Sequence, residues 1–319
     1  MTTPEQDNQF NELSGRLVRD MLADRKSARR LSYIKYGILG LMGVAYLGVM
    51  ASSLLSSSGD PRPEPGYVAM VRVEGEIGPG KPVSAEKLNP LLDKAFEDAR
   101  AIGVVLRVNS PGGTPVQSAL INERIKSLKA AHPEKKVVVV AEDMVTSGAY
   151  FIAVAADEIV VNRSTIAGSI GVITRGFGFQ GLMDKLGVER RVLTSGQSKN
   201  MMDPFGPQSE TEKHKQAELL SAIHTHFIEA VKAGRGSKLD TGNPELFSGT
   251  VWTGEEAVKM GLADSLGDID SAARKNFGTT RLFEYAPRKG LLDSIMSGVA
   301  VQVKTMLTPE VSGPELLPQ

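Results

Sequence analysis

Apolar positions along this chain fall into three regimes. Residues 37–55 (GILGLMGVAYLGVMASSLL) form an uncharged apolar run of about nineteen residues. As a helix rising ~1.5 Å per residue, such a run reaches roughly 28 Å, close to the hydrocarbon thickness of a bilayer. From residue 67 the pattern becomes short β-branched runs alternating with helical periodicities. Tyr67–Val73, Ile102–Val108, Lys136–Ala141 and Glu158–Val161 predict strands, and the KVVVVA run is of the kind buried on both faces. Between them Ala85–Ala99 predicts a helix whose buried stripe is Leu88, Leu91, Leu92 and Phe96. Thr114–Ala130 predicts a second helix, with Val116, Ala119, Leu120, Ile125 and Leu128 apolar, and Ser147–Ala156 begins a third. A long helix follows at Ser209–Ala233 and another at Ser271–Phe277. Thr253–Gly261 reads as a short capped helix: Thr253 is the N-cap, Glu256 stands three residues on, and Gly261 is the stop. The third regime is Gly290–Met306, amphipathic at helical spacing with Leu291, Ile295, Val299 and Val303 on one flank, a segment expected to dock on protein or on a membrane surface.

These regimes divide the chain into a polar arm at 1–35, a transmembrane anchor at 36–56 and a linker at 57–66. An α/β domain at 67–288 and a C-terminal amphipathic helix and tail at 289–319 complete it. The arm carries Arg16, Arg19, Arg25, Lys26, Arg29, Arg30 and Lys35, whereas the first basic residue after the run is Arg62. Basic residues flanking a span stay in the cytoplasm, so the arm is expected inside and the large domain outside. A cleaved signal peptide is the competing reading, with Met50-Ala51-Ser52 offering small residues for cleavage. Strand–helix–strand alternation in the large domain argues for α/β layering.

Charge narrows the function. The 37 basic residues balance the 37 acidic ones, which gives no reason to expect a nucleic-acid partner. The absence of cysteine removes disulfides, zinc–thiolate sites and thiol nucleophiles together. His132, His214, His224 and His226 form no HExxH pattern, and His224 and His226, two apart on a helix, point to different faces. No metal and no cofactor are expected.

Chemistry is expected at the turns that join strand ends to helix starts, where backbone amides gather. One is Asn109-Ser110-Pro111-Gly112-Gly113, whose glycines allow N–H groups to aim at a ligand; an ordinary turn would read the same. The other is Val145-Thr146-Ser147-Gly148-Ala149-Tyr150. There Ser147 is either a nucleophile beside the Gly148 amide or only a helix N-cap. A serine nucleophile needs a base. With no histidine in a suggestive setting, lysine is the candidate, and it must be desolvated to become neutral. Lys199, in SGQSKNMM, has Met201 and Met202 nearby to dry such a site; a solvated loop lysine is the plain alternative. Thr165–Val172 is rich in glycine and small residues and could line the same cleft, with the Ser169 hydroxyl orienting the amine.

Four ordered segments, NSPGG, TSGAYFIAVAAD, STIAGSIGV and SGQSKN, behind an N-terminal anchor, resemble the signal peptide peptidase A family of serine peptidases. The resemblance covers roughly 68–277. It implies a ClpP/crotonase-type fold of stacked ββα units and a Ser–Lys dyad, with Ser147 as nucleophile and Lys199 as general base. It implies an oxyanion hole from the Gly113 and Gly148 amides, and Ser169 as the hydroxyl that orients the lysine. Digestion of hydrophobic remnant signal peptides at the outer face of the inner membrane, and a ring-like homo-oligomer, follow as expectations. Ala149 and Arg163 depart from the SGGY and Asn-Pro-Ser-Thr often seen in the family, leaving subfamily and pocket shape open. Two other classes are weighed: a membrane-bound scaffold or chaperone that kept the fold and lost activity, and an acyl-coenzyme A enzyme of the crotonase fold.

Overall fold

The computed structural model describes residue 33 and residues 35–48, 63–196 and 198–287. The chain separates into two units, 1–62 and 63–319. In the first, residues 35–48 are helical. The rest of the expected anchor, 49–56, lies outside the described residues, as do nearly all of the arm and the C-terminal amphipathic segment. Among the described residues, no helix is long and apolar enough to cross a membrane.

The second unit is built on a mixed sheet. Strands β1 (Tyr67–Glu74), β2 (Ala101–Ser110) and β3 (Lys136–Thr146) run parallel and side by side. Helix α1 (Ala85–Glu97) connects the first pair and α2 (Pro115–Ala131) the second. Alternation along β1 splits its side chains between two cores. Tyr67, Ala69, Val71 and Val73 pack with Leu88, Leu92, Phe96, Ile121 and Ile125 of the two helices. Val68 joins Val105, Val138, Val140 and Val160 on the opposite face. There α7 (Ile269–Phe277) covers part of the sheet, contributing Ala272 and Phe277.

The length of β3 positions everything that follows. The KVVVVA run predicts an end at Ala141; the strand continues to Thr146. Two acids in the added length are accommodated by partners on β2: Arg107 pairs with Glu142, and Asn109 Nδ2 donates to Asp143 at 3.0 Å. The extra length gives β3 two partners in succession. Its Val138–Ala141 stretch pairs with β4 (Glu158–Val161), and Met144–Thr146 pairs with β5 (Ile166–Gly168). Short strands absent from the sequence reading close the edges. β6 (Val251–Thr253) runs antiparallel to β5, β7 (Ser265–Leu266) pairs with β4, and β8 (Leu282–Glu284) pairs with β1.

The helices follow the expected periodicities with one rotation. Helix α2 buries Ser118, Ile121, Asn122, Ile125 and Leu128. Val116 and Leu120, which the apolar pattern marks, are 67% and 44% exposed. The helix turns its polar Ser118 and Asn122 inward, towards α3 (Gly148–Ala153): Asn122 bonds the Phe151 carbonyl there, and Ser118, whose hydroxyl donates to Thr114 at the start of its own helix, packs closely on Gly148. Helix α5 (Glu210–Arg235) starts with a reciprocal Ser209–Glu212 capping box, and α6 (Gly254–Lys259) with the expected Thr253–Glu256 box. Arg191–Thr194, strand-like in its sequence just before the Lys199 segment, forms no strand: Val192 is exposed and Leu193 fully so, and among the described residues no strand pairs with it. A short helix, α4 (Gln180–Leu186), stands just before it.

Candidate active site

At the top of β3 the chain makes a sharp turn into α3, and Ser147 is the corner. Its backbone sits at φ 51°, ψ −125°, a region that costs a non-glycine residue on the order of 1–3 kcal/mol. Two bonds hold it there. The Ser147 N–H donates to the Gly168 carbonyl at 2.8 Å, and the Phe151 N–H donates to the Ser147 carbonyl at 2.9 Å. Ser147 occupies the N-cap position of α3, yet its side chain makes no capping hydrogen bond. A serine kept for capping would accept from an amide of the first turn. Here the hydroxyl is left for the cleft that the residue lines. A strained strand-to-helix corner of this kind is how α/β-hydrolase folds expose a nucleophilic hydroxyl.

The turn after β2 packs directly on this corner. Ser110 Oγ donates to the Gly75 carbonyl at 2.6 Å, and Ile77 brackets the glycines by donating to the Gly112 carbonyl and accepting from Thr114 N–H, both at 2.9 Å. Gly112 has φ 94°, and a Cβ there would lie 2.6 Å from the Gly148 nitrogen and 2.8 Å from Ser147 Cβ. A Cβ on Gly113 would lie 1.9 Å from the Ile77 carbonyl oxygen. Only glycine fits at either position. The Gly148 amide opens α3 and so has no intrahelical acceptor. Among the described residues, neither it nor the Gly113 amide has a protein acceptor. The two lie close together, since a Cβ built on Gly148 would stand 3.1 Å from the Gly113 nitrogen. Paired unsatisfied donors beside a free hydroxyl are what a developing oxyanion requires.

Ser169 follows β5 at φ 53°, its amide donating to the Thr250 carbonyl at 2.8 Å. It lines the same cleft of about 860 Å³ as Ser147, Gly113 and Gly148. The apolar walls come from Phe151, Ile173, Leu220, Ile223 and Phe227, with Glu76 and Arg175 also lining it. None of the four histidines lines it; His224 instead shares a 3.0 Å hydrogen bond with the Ile170 carbonyl, tying α5 to the segment after Ser169.

Lys199 stands apart from this group. It is exposed, in a turn where its amide donates to the Gly196 carbonyl at 3.1 Å, and it does not line the cleft. Met202 beside it is also exposed, so the dry surroundings expected for the amine are not present in the single chain. Among the described residues, no group of three or more His, Cys, Asp or Glu converges as a metal site.

The corner is braced from below. Tyr150 is fully buried and donates to the Leu262 carbonyl at 2.8 Å; burial pushes its phenol well above the usual range. Arg235 at the end of α5 donates to Asp264 at 2.8 Å, and Lys238 Nζ does so at 2.6 Å. Burial raises the Asp264 carboxyl, but these two cations and the Ile159 amide outweigh it and hold it down at about 2. Sequence reasoning missed Ser118, Asn122 and Phe151. The available signal was a pair of polar residues four apart on the face of α2 that also carries Ile121 and Ile125.

Comparison with known proteins gives this geometry a family. Residues 129–277 match the model of peptidase family S49. Over 240 residues the chain is 44% identical to the Na(+)/H(+) antiporter NhaA of Brucella melitensis biotype 1, a match covering 73% of this chain and 32% of that protein. It is 31% identical to "Putative protease slr0021" of Synechocystis, covering 64% of this chain and 71% of that one. It is 31% identical to Protease 4 of Haemophilus influenzae, covering 66% and 34% respectively. The chain thus spans about a third of the length of the Brucella protein. The matched span contains Ser147, Gly148, Ser169 and Lys199, and the chain belongs to peptidase family S49, of the signal peptide peptidase A type.

Proposed function

We propose that this chain is a membrane-anchored serine endopeptidase with a ClpP/crotonase-type fold that degrades hydrophobic peptides, cleaved signal peptides among them. The observation that carries this is the strained Ser147 corner: an uncapped hydroxyl beside two unpaired amides, Gly113 and Gly148. In the proposed reaction Ser147 Oγ attacks the peptide carbonyl and gives its proton to the neutral Lys199 amine. The two amides receive the negative charge on the carbonyl oxygen. Lys199 then passes its proton to the departing amine, and water releases the acyl group from Ser147. The apolar walls from Leu220, Ile223 and Phe227 support a hydrophobic substrate.

Lys199 has to reach Ser147 for this to work. The segment that carries it exposes Ile173, Phe177, Leu182, Leu186 and Leu193, an apolar surface that calls for a cover. Assembly of several copies into a ring, packed through this segment, would desolvate it and bring an amine to the cleft. The run at 37–55 would hold the assembly on the outer face of the inner membrane, with the basic arm in the cytoplasm. A second reading, an inactive membrane scaffold, draws support from the exposed position of Lys199.

Labelling the full chain in detergent with a fluorophosphonate tests the proposal. An adduct confined to Ser147, lost in Ser147→Ala and strongly slowed in Lys199→Ala, is expected. Absence of reaction in an assembled wild-type protein would favour the scaffold.

A further inference from the structure

Two buried polar side chains on α2 have no place in the chemistry described so far. Asn122 is 1% exposed, and its Nδ2 donates to the Phe151 carbonyl of α3 at 2.7 Å. That carbonyl is one of the groups a short helix cannot satisfy itself, because the Ala155 N–H turns to Ile152 instead. Ser118, one turn earlier on the same face, donates to the Thr114 carbonyl at 3.1 Å. Its Oγ lies so near Gly148 that a Cβ there would sit 2.4 Å from it. Helix α2 begins just after Gly113, and α3 begins at Gly148. The contact between these helices therefore controls how the two unpaired amides lie relative to each other. Van der Waals contact at Ser118 limits how closely they approach but restrains rotation and sliding of α3 little. The buried, directional Asn122 bond one turn below restrains both. Lys129, further along α2, reaches only the Ala155 carbonyl beyond α3, and Tyr150 bonds the Leu262 carbonyl outside α2.

We infer that Asn122 is a positioning residue for the oxyanion site: its bond to Phe151 locks α3 in register with α2 and so fixes the Gly113 and Gly148 amides as a pair. This rests on the peptidase reading and deepens it. Asn122 touches no reacting atom; it acts through α3. Its loss weakens stabilisation of the oxyanion, which develops after substrate has bound, and leaves ground-state binding alone.

The test compares Asn122→Leu, and Asn122→Ala in case the leucine variant fails to fold, with wild type as full chains in detergent. Arg124→Ala serves as the control. It removes the 2.6 Å Arg124–Asp93 pair to α1 and loosens α2 elsewhere. The Asn122 variants are expected to lose about ten- to a hundredfold in kcat with KM within about twofold. Affinity for a peptide aldehyde should fall in step with kcat. Hydrogen exchange in the peptide covering 147–153 should quicken, while Arg124→Ala changes none of these. An unchanged kcat, an equal loss in Arg124→Ala, or exchange at 147–153 that stays at the wild-type rate would overturn the inference. Ser147→Ala run alongside separates the two claims. If that variant still cleaves, the peptidase reading falls, and the exchange measurement still decides whether Asn122 holds α3.

Discussion

A Cβ placed on Gly112 would lie 2.8 Å from the Cβ of Ser147, so the turn after β2 and the corner after β3 are locked in contact. Two loops from neighbouring parallel strands meet with no side chain between them. This brings the Gly113 amide to the Gly148 amide, and it leaves no room for a side chain at Gly112.

Gly112→Ala is accordingly expected to lower kcat/KM by at least about a hundredfold, because a methyl group here pushes the Gly148 amide out of place. The chain should still fold, since the displacement is confined to a turn. Steady-state peptide hydrolysis beside a thermal melt checks both halves of the expectation.

Ser147→Gly should separate stability from activity. Glycine relieves a strain on the order of 1–3 kcal/mol at φ 51° and loses about 0.5–1 kcal/mol to unfolded-chain entropy. The balance is a stabilisation of about 1 kcal/mol in an inactive protein. Urea midpoints of the variant and of Ser147→Ala, which keeps the strain, measure the difference.

Asp264 ties stability to acidity. Its carboxyl is held at about 2 in the folded chain, below the 3.8 of an unperturbed aspartate, so the folded state favours the charged form. That preference contributes about 2 kcal/mol above pH ~5 and disappears as pH falls from about 4 through 2. Asp264→Asn should therefore cost stability at pH 6 and almost none at pH 2. Denaturant midpoints of both proteins at the two pH values show whether the gap closes.

The sequence disclosed the parts of this fold that local physics controls. Val137–Val140, buried on both faces, were legible as a central strand, and Thr253 with Glu256 as a helix start, because β-branching and capping act within a few residues. The extension of β3 to Thr146 was not legible, since Glu142 and Asp143 are tolerated only by virtue of Arg107 and Asn109 on β2. The inward turn of Asn122 was hidden for the same reason: its partner, the Phe151 carbonyl, is supplied by another helix. Within the site, Ser147, Gly113, Gly148 and Ser169 were singled out from turn composition and from family resemblance, and they line one cleft. Their most telling property, the positive φ of Ser147 and of Ser169, cannot be read from a residue type that rarely adopts it. Lys199 was singled out for a dry setting from its neighbours Met201 and Met202, yet Met202 is exposed, because sequence proximity does not decide which side chains are buried.

Hydrolysis of a hydrophobic signal-derived peptide by the full chain in detergent, with Ser147→Ala and Lys199→Ala alongside, tests the central claim most directly. The account predicts cleavage by wild type and loss of at least about a thousandfold in kcat in each variant, with folding and assembly intact. Cleavage by Ser147→Ala at the wild-type rate would contradict it.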